Sequence, residues 1–343
     1  MNIIIEEDCK RILRKVDLTP LKNKSILLTG GTGFVGRYLI NLIYLANRDK
    51  NLNCSLVATS LHKTPKDLKK LAGKNIRFKK VDLSKPFRIS GKFHYIFHAA
   101  GYGQPTKFTK EPLKTIFINA NATQILLELA RKNHAKFIFI SSADIYGDVP
   151  KNMKVVPETY GGNRSTIGPR AVYGESKRLG ETICWAYQDK HNIDVKIVRA
   201  SHLYGPGISI HDKRVLGDFL RSALKGKSIK LKDRGQAVKT FGYIADVITM
   251  IFFVALKGKD MVYNVGGKST ISIRKLAHAV GKLTASPVLM PKRNSSDRHI
   301  GTDPRVAPLN LNKITKEMKG FSFTPLGTGL KRTIEWNKEE FHL

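Results

Sequence analysis

Ser25–Leu39 narrows what this chain can fold into more than any other stretch. An apolar run, Ile26 to Thr29, enters a glycine loop, and the loop opens directly onto an apolar-periodic segment from Val35. Gly31-x-Gly33-x-x-Gly36 meets the dinucleotide-binding spacing, and Thr29-Gly30-x-x-Gly33-x-x-Gly36 meets its variant at the same time. In such a loop one glycine makes the tight turn, a second lets backbone amides approach a pyrophosphate, and the last lets helix pack on strand. The pyrophosphate then sits at the positive end of the helix. Any strand–helix turn can use glycine, so the strand before and the helix after give this triplet its meaning. Gly30, Gly33, Phe34, Val35 and Gly36 are therefore expected against a dinucleotide.

The chain beyond the loop keeps the same alternation. Strands are expected at Cys54–Thr59, at Ile76–Leu83 and at His94–Ala100, the last ending in the small residues Ala99 and Ala100. Asp82, followed by Leu83, is placed to touch an adenine edge. A long helix, Pro112–Arg131, contains Asn119, and a fifth strand, Lys136–Ser142, is almost continuously apolar, as a strand buried on both faces should be. This order predicts an α/β fold, a doubly wound parallel (Rossmann) sheet. Ligands then belong outside the carboxyl ends of the strands, where Gly30, Asp82, Ala99 and Ser142 lie. A dinucleotide fold that prefers NAD carries an acidic residue near the end of its second strand. Here Thr59, Ser60, Leu61, His62 and Lys63 follow instead, which leaves NADP open beside NAD.

Residues 1–24 read as a short amphipathic helix with Ile12, Leu13 and Val16 on one side, a packing or dimer-edge appendage stopped at Asp17-Leu18-Thr19-Pro20. With 60 Lys+Arg against 27 Asp+Glu the formal charge is +33, which raises nucleic acid and anionic membranes as partners. The lysines are spread along the chain, and their densest groups, Lys66–Lys70 and Lys79-Lys80, are short and come with no nucleic-acid-binding module. No nucleic-acid partner is expected. Cys9, Cys54 and Cys184 lie far apart, a pattern for neither a disulfide framework nor a zinc site, so no metal is expected. Glu6, Glu7 and Asp8 interrupt the N-terminus too early for a signal peptide, and no apolar run approaches the ~20 residues of a membrane span. The expectation is a cytoplasmic protein with no membrane partner.

Tyr173-Gly174-Glu175-Ser176-Lys177 opens a helix running to about Tyr187. Positions i and i+4 share a helix face, so the phenol and the ammonium point the same way. An ammonium beside a phenol favours phenolate, lowering its pKa from ~10 toward neutrality. That makes a general base for a sugar hydroxyl as hydride leaves, and Ser142 can hold that hydroxyl. Elsewhere, Asp246 reads as a helix N-cap, Asn264 as the anchor of a backbone turn, and His98 as a satisfied histidine near the cofactor.

With these residues assembled, the chain from about Ser25 onward resembles the extended short-chain dehydrogenase/reductases, the nucleotide-sugar epimerase/dehydratase group. The matching motifs are Thr29–Gly36, His98-Ala99-Ala100, Ser141-Ser142-Ala143-Asp144-Ile145-Tyr146-Gly147, Tyr173-x-x-x-Lys177, Arg199-x-x-His202-x-Tyr204-Gly205-Pro206 and Tyr263-Asn264-Val265-Gly266. Within the group, Tyr160–Tyr173 and Lys213-Arg214-Val215 look most like the UDP-glucuronate decarboxylases. The resemblance implies NAD as cofactor and a nucleotide sugar as substrate. It implies a dinucleotide-binding domain over 25–199, with 240–267 returning to it, and a substrate lobe from 200–239 and 268–343. It also implies a homodimer through the Pro112–Arg131 and Tyr173–Tyr187 helices.

Residue by residue, the resemblance makes Tyr173, Lys177, Ser142 and Asp144 catalytic and puts Arg214 on the diphosphate. Family dehydratases carry Asp-Glu after the serine, whereas this chain has Ala143-Asp144, which disfavours dehydration. Decarboxylases show Ser-Glu, so Asp144 is one methylene short; simple epimerases show Ser-Ser-Ala, which also partly fits. His202 stands where the family has a substrate-holding asparagine, and Lys239 where the decarboxylases have an arginine, keeping the charge but losing the planar fork. Decarboxylation and epimerisation both pass through a 4-keto sugar. A function of another class, a non-catalytic dinucleotide sensor or RNA binder, is opposed by the intact Ser142/Tyr173/Lys177 set.

Overall fold

The computed structural model describes residues 1–291 and 307–342; residues 292–306 and Leu343, part of the expected 268–343 segment, lie outside the described residues. The strands in chain order are β1 Ser25–Thr29, β2 Ser55–Ser60, β3 Ile76–Lys80, β4 Tyr95–His98, β5 Lys136–Ser142, β6 Val195–Ala200, β7 His202–Tyr204, β8 Ile229–Lys230, β9 Val238–Tyr243, β10 Val262–Val265, β11 Ser269–Ser272 and β12 Val288–Leu289. The helices are α1 Ile3–Lys15, α2 Phe34–Lys50, α3 Lys66–Lys69, α4 Pro105–Phe108, α5 Pro112–Asn119, α6 Asn121–Asn133, α7 Ala171–His191, α8 Val215–Leu224, α9 Ile244–Lys257, α10 Ile273–Thr284, α11 Asn312–Glu317 and α12 Leu326–Phe341.

Seven strands form one sheet in the order β10-β6-β5-β4-β1-β2-β3, every neighbouring pair parallel. This is the doubly wound α/β sheet the alternation predicts. Chain order reverses between β1 and β4, which opens the crevice where dinucleotides bind in this architecture. The five central residues of β5 are buried, so its side chains pack on the helix layers of both faces. A three-stranded sheet, β11-β9-β7, and a two-stranded one, β12-β8, stand apart from it. Thus α9 and β10 join the main sheet's side, while β9 just before them belongs to the small sheet. Among the described residues no helix is long and apolar enough to cross a membrane, and no cluster of His, Cys, Asp or Glu is arranged to hold a metal ion.

Three expectations need correction, and the first helix needs placing. β3 ends at Lys80 and β4 at His98, so Asp82, Leu83, Ala99 and Ala100 lie in the loops just beyond the strands. The long helix over 112–131 is two helices broken at Ala120. There the Asn119 carbonyl accepts from the Thr123 hydroxyl at 2.7 Å, and the Asn119 amide donates to Ser176 of α7 at 2.9 Å. The first helix takes the packing role of the two expected for it: Ile4, Ile5, Cys9, Ile12 and Leu13 are buried against α2 and α9. Its buried Asp8 accepts from Tyr38 at 2.9 Å and Tyr243 at 2.7 Å and pairs with Arg332 of α12 at 3.1 Å. Finally, Asp246 caps nothing. It is the third residue of α9, and its carboxylate accepts from the Thr324 amide and hydroxyl at 2.6 and 2.9 Å.

Candidate active site

The glycine loop builds a cradle that residues with side chains would fill. Gly30 has φ +71°, and a Cβ on it would lie 2.7 Å from the Ala100 amide nitrogen; one on Gly36 would lie 2.2 Å from the Gly30 carbonyl. Gly33 is the N-cap of α2, so no capping side chain takes the amides of its first turn, Phe34, Val35 and Gly36. Across the crevice, Asn119 Oδ1 is buried without a hydrogen-bond partner. It lies 3.4 Å from where a Cβ on Gly101 would sit, and Lys177 Nζ lies 3.8 Å from the same point. An unmade bond at a buried carbonyl is costly, and a ligand donor in the crevice relieves it, so these residues fit a dinucleotide. His98 beside them is satisfied, as expected, by Thr29 Oγ1 at 2.7 Å and the Ile118 carbonyl at 3.1 Å. Burial, and then the Lys177 charge, push it down to about 3, so it stays neutral.

Asp82, expected at an adenine edge, is held by the Ser84 amide and hydroxyl at 3.0 and 2.6 Å, which keep its carboxyl below the usual range. A carboxylate does reach the β2 end of the sheet, but from α3: Asp67 pairs with Arg37 in the first turn of α2. No spacing in the sequence signals that pair.

Ser142 ends β5 and caps the turn that follows, its hydroxyl accepting from the Asp144 amide at 3.1 Å. That hydroxyl also favours the Tyr173 phenolate, and the Asp144 carboxylate and the Arg214 guanidinium are close enough for their charges to act on the same phenol. Phe108 stacks on the Tyr173 ring, centroids 5.2 Å apart and planes within 11°. The structure thus brings Ser142, Asp144, Tyr173 and Arg214 together. Lys177 is directed elsewhere, its ammonium donating to the Ile140 carbonyl at 2.7 Å and sitting 4.6 Å above the Phe139 ring. The expected lowering of the phenol by that lysine is not found. Burial first, then the Asp144 charge, push Tyr173 up to about 12, while burial pulls Lys177 down to about 8.

Arg214 is itself held by buried Asp212, which Gln104 also contacts at 3.0 Å. Its Nη2 donates to Asp212 Oδ2 at 2.7 Å. His202 and Lys239 lie on the small sheet, His202 facing Phe241 across β7 and β9. Near them in sequence, a basic cavity of about 1060 Å³ is lined by Lys213, Phe219, Arg221, Lys230 and Lys232. Phe108, Gln104, Asp212 and this lysine-rich lining escape a reading of the sequence, because only the fold assembles them.

A sequence profile of the NAD dependent epimerase/dehydratase family matches residues 26–266. The chain belongs to that family. UDP-glucuronic acid decarboxylase 5 of Arabidopsis thaliana is 30% identical over 304 residues, 87% of this chain and 84% of that protein. UDP-glucuronic acid decarboxylase 1 of Xenopus tropicalis is 26% identical over 324 residues, 94% of this chain and 74% of that protein. Among solved structures, a dTDP-glucose 4,6-dehydratase from Streptomyces venezuelae, with NAD bound, superposes with a TM-score of 0.77 at 20% identity, covering 93% of this chain and 98% of that one. The fold is therefore shared with NAD-binding nucleotide-sugar enzymes.

Proposed function

We propose that this chain is an NAD-dependent UDP-glucuronate decarboxylase working through a 4-keto sugar. The observation that carries the reading is the junction of Ser142, Asp144, Tyr173 and Arg214 at the carboxyl edge of the sheet, one loop away from the Gly30–Gly36 cradle. The decarboxylase relatives over 87% of the chain support it. Ser142 orients the carbon-4 hydroxyl, and Tyr173 accepts its proton. NAD, held by the Gly30–Gly36 cradle, would supply the hydride acceptor and later the hydride donor, and the positive charge of its oxidised ring would favour the phenolate. The carbon-4 ketone makes the carbon-6 carboxylate part of a β-keto acid. Its carbon–carbon bond breaks to release carbon dioxide, and the electron pair passes to an enolate that is reprotonated at carbon 5. Asp144 and Lys239 steer that intermediate, Arg214 and His202 hold the substrate, and Asp82, Leu83, Ala99, Ala100 and Asn119 line the cofactor site with Lys177.

We read residues 200–239 and 268–343 as the substrate-binding lobe. The working form is a cytoplasmic homodimer joined through α5, α6 and α7, where Leu113, Leu179 and Trp185 are exposed. Epimerisation is the second reading, favoured by Ala143 after Ser142, where simple epimerases carry alanine.

Incubation of the purified protein with NAD and UDP-glucuronate should release carbon dioxide and UDP-xylose, and Tyr173→Phe should lower turnover about 100-fold or more with NAD affinity unchanged. Failure to form any pentose rejects decarboxylation; interconversion of UDP-sugar epimers in the same assay favours the second reading.

A further inference from the structure

Arg164 sits in the loop before α7, six residues from Arg170 and twenty from Asp144, with its side chain 6% exposed. Its Nε and Nη2 donate to the Asp144 main-chain carbonyl at 2.9 and 2.6 Å, and Nη2 lies 3.0 Å from the Asp144 carboxylate. Its Nη1 donates to the Arg170 carbonyl, the N-cap of α7, at 3.0 Å. The loop is itself pinned to the turn it serves. Asn163 accepts from the Asp148 amide at 2.6 Å and donates its own amide to the Tyr146 carbonyl at 2.9 Å. The Arg164 side chain also packs closely on Gly174, the residue after Tyr173: a Cβ there would be 2.3 Å from Nε. A glycine inside a helix weakens it, so this one marks space kept for the guanidinium.

We propose that Arg164 is a positioning residue: one buried guanidinium fixes the turn carrying Ser142 and Asp144 against the first turn of the helix carrying Tyr173. The inference rests on the reading of Ser142, Asp144 and Tyr173 as the reactive set. Asp144 has one methylene less reach than glutamate, and Arg164 holds both its main-chain carbonyl and its carboxylate, so the short arm is aimed by the fork. Arg164 also offsets the negative charge that Asp144 turns on Tyr173. Arg214 faces the phenol from the loop before α8, and Lys177 lies one turn along α7.

The test uses three variants of the full chain loaded with NAD, each checked for an unchanged melting transition. Arg164→Met should lower kcat about 100-fold, with KM for UDP-glucuronate within twofold. Arg164→Lys, which keeps the charge without the fork, should recover part of the loss. Gly174→Ala, which favours the helix but expels the guanidinium, should lower kcat without lowering the melting temperature. Carbon-13 tyrosine spectra, with the Tyr173 signal assigned by its loss in Tyr173→Phe, should show the phenol titrating at higher pH in Arg164→Met. That readout needs no turnover, so it stands even if UDP-glucuronate proves not to be the substrate. An unmoved Tyr173 titration, or loss of activity only in step with loss of folding, overturns the proposal.

Discussion

At the scale of single residues, His98 makes the clearest solution prediction. It is fully buried, uses both ring nitrogens in hydrogen bonds and is pushed down to about 3 by burial. An unfolded histidine titrates near 6.5, so between pH 6.5 and 3 the unfolded chain holds a proton that the folded one refuses. Stability from this residue is therefore complete above 6.5 and falls with acidification, by up to about 1.4 kcal/mol per pH unit. In His98→Asn, urea midpoints measured at pH 7, 6 and 5 should start lower but decline less steeply than in the parent protein; parallel declines would contradict the assignment. The sequence made this histidine legible as a satisfied one, since it ends a buried strand beside small residues. It misled about Lys177. Spacing alone puts a lysine on the tyrosine's face, but the Ile140 carbonyl, an unpredictable product of how β5 meets α7, takes its ammonium.

At the scale of elements, the first five strands and their parallel class were readable because apolar runs alternated with helical periods, whereas their junctions and the later strands were not. Nothing like proline or glycine marks Ala120, and the break there follows from Asn119 bonding Ser176 of another helix. Asp246 shows the same limit: its place near the start of α9 suggested a cap, and its real partner is 78 residues away in Thr324. It ties α9 to the segment entering α12 by accepting two hydrogen bonds on a buried carboxylate, with Arg11 of α1 4.0 Å away. Asp246→Ala should cost about 2–3 kcal/mol, since charged hydrogen bonds are lost and the Thr324 amide is left unpaired. Equilibrium denaturation measures this. A change below about 0.5 kcal/mol would mean that water replaces the carboxylate freely.

At the scale of the whole molecule, the apolar residues on α5 and α7 stand out against a surface dominated by lysine. Leu113 is 79% exposed, Trp185 57% and Leu179 47%, on helices that pack side by side. If the proposed dimer forms there, light scattering should give twice the 38.4 kDa chain mass, and Trp185→Glu or Leu179→Glu should halve it with the fold intact. A parent protein that runs as a single chain at micromolar concentration would remove that face as the contact. The sequence carried the helices and their apolar residues but not their exposure, which only the packed sheet decides. The first and last helices meet as well: Asn2 donates to Glu339 at 2.8 Å, and Arg332 reaches across to Glu7 at 2.9 Å and to Asp8. Head and tail are thus neighbours in space, so a short peptide could stitch them into a ring and the polypeptide could be reopened at a distant surface turn, a rearrangement that would leave the crevice and its chemistry untouched.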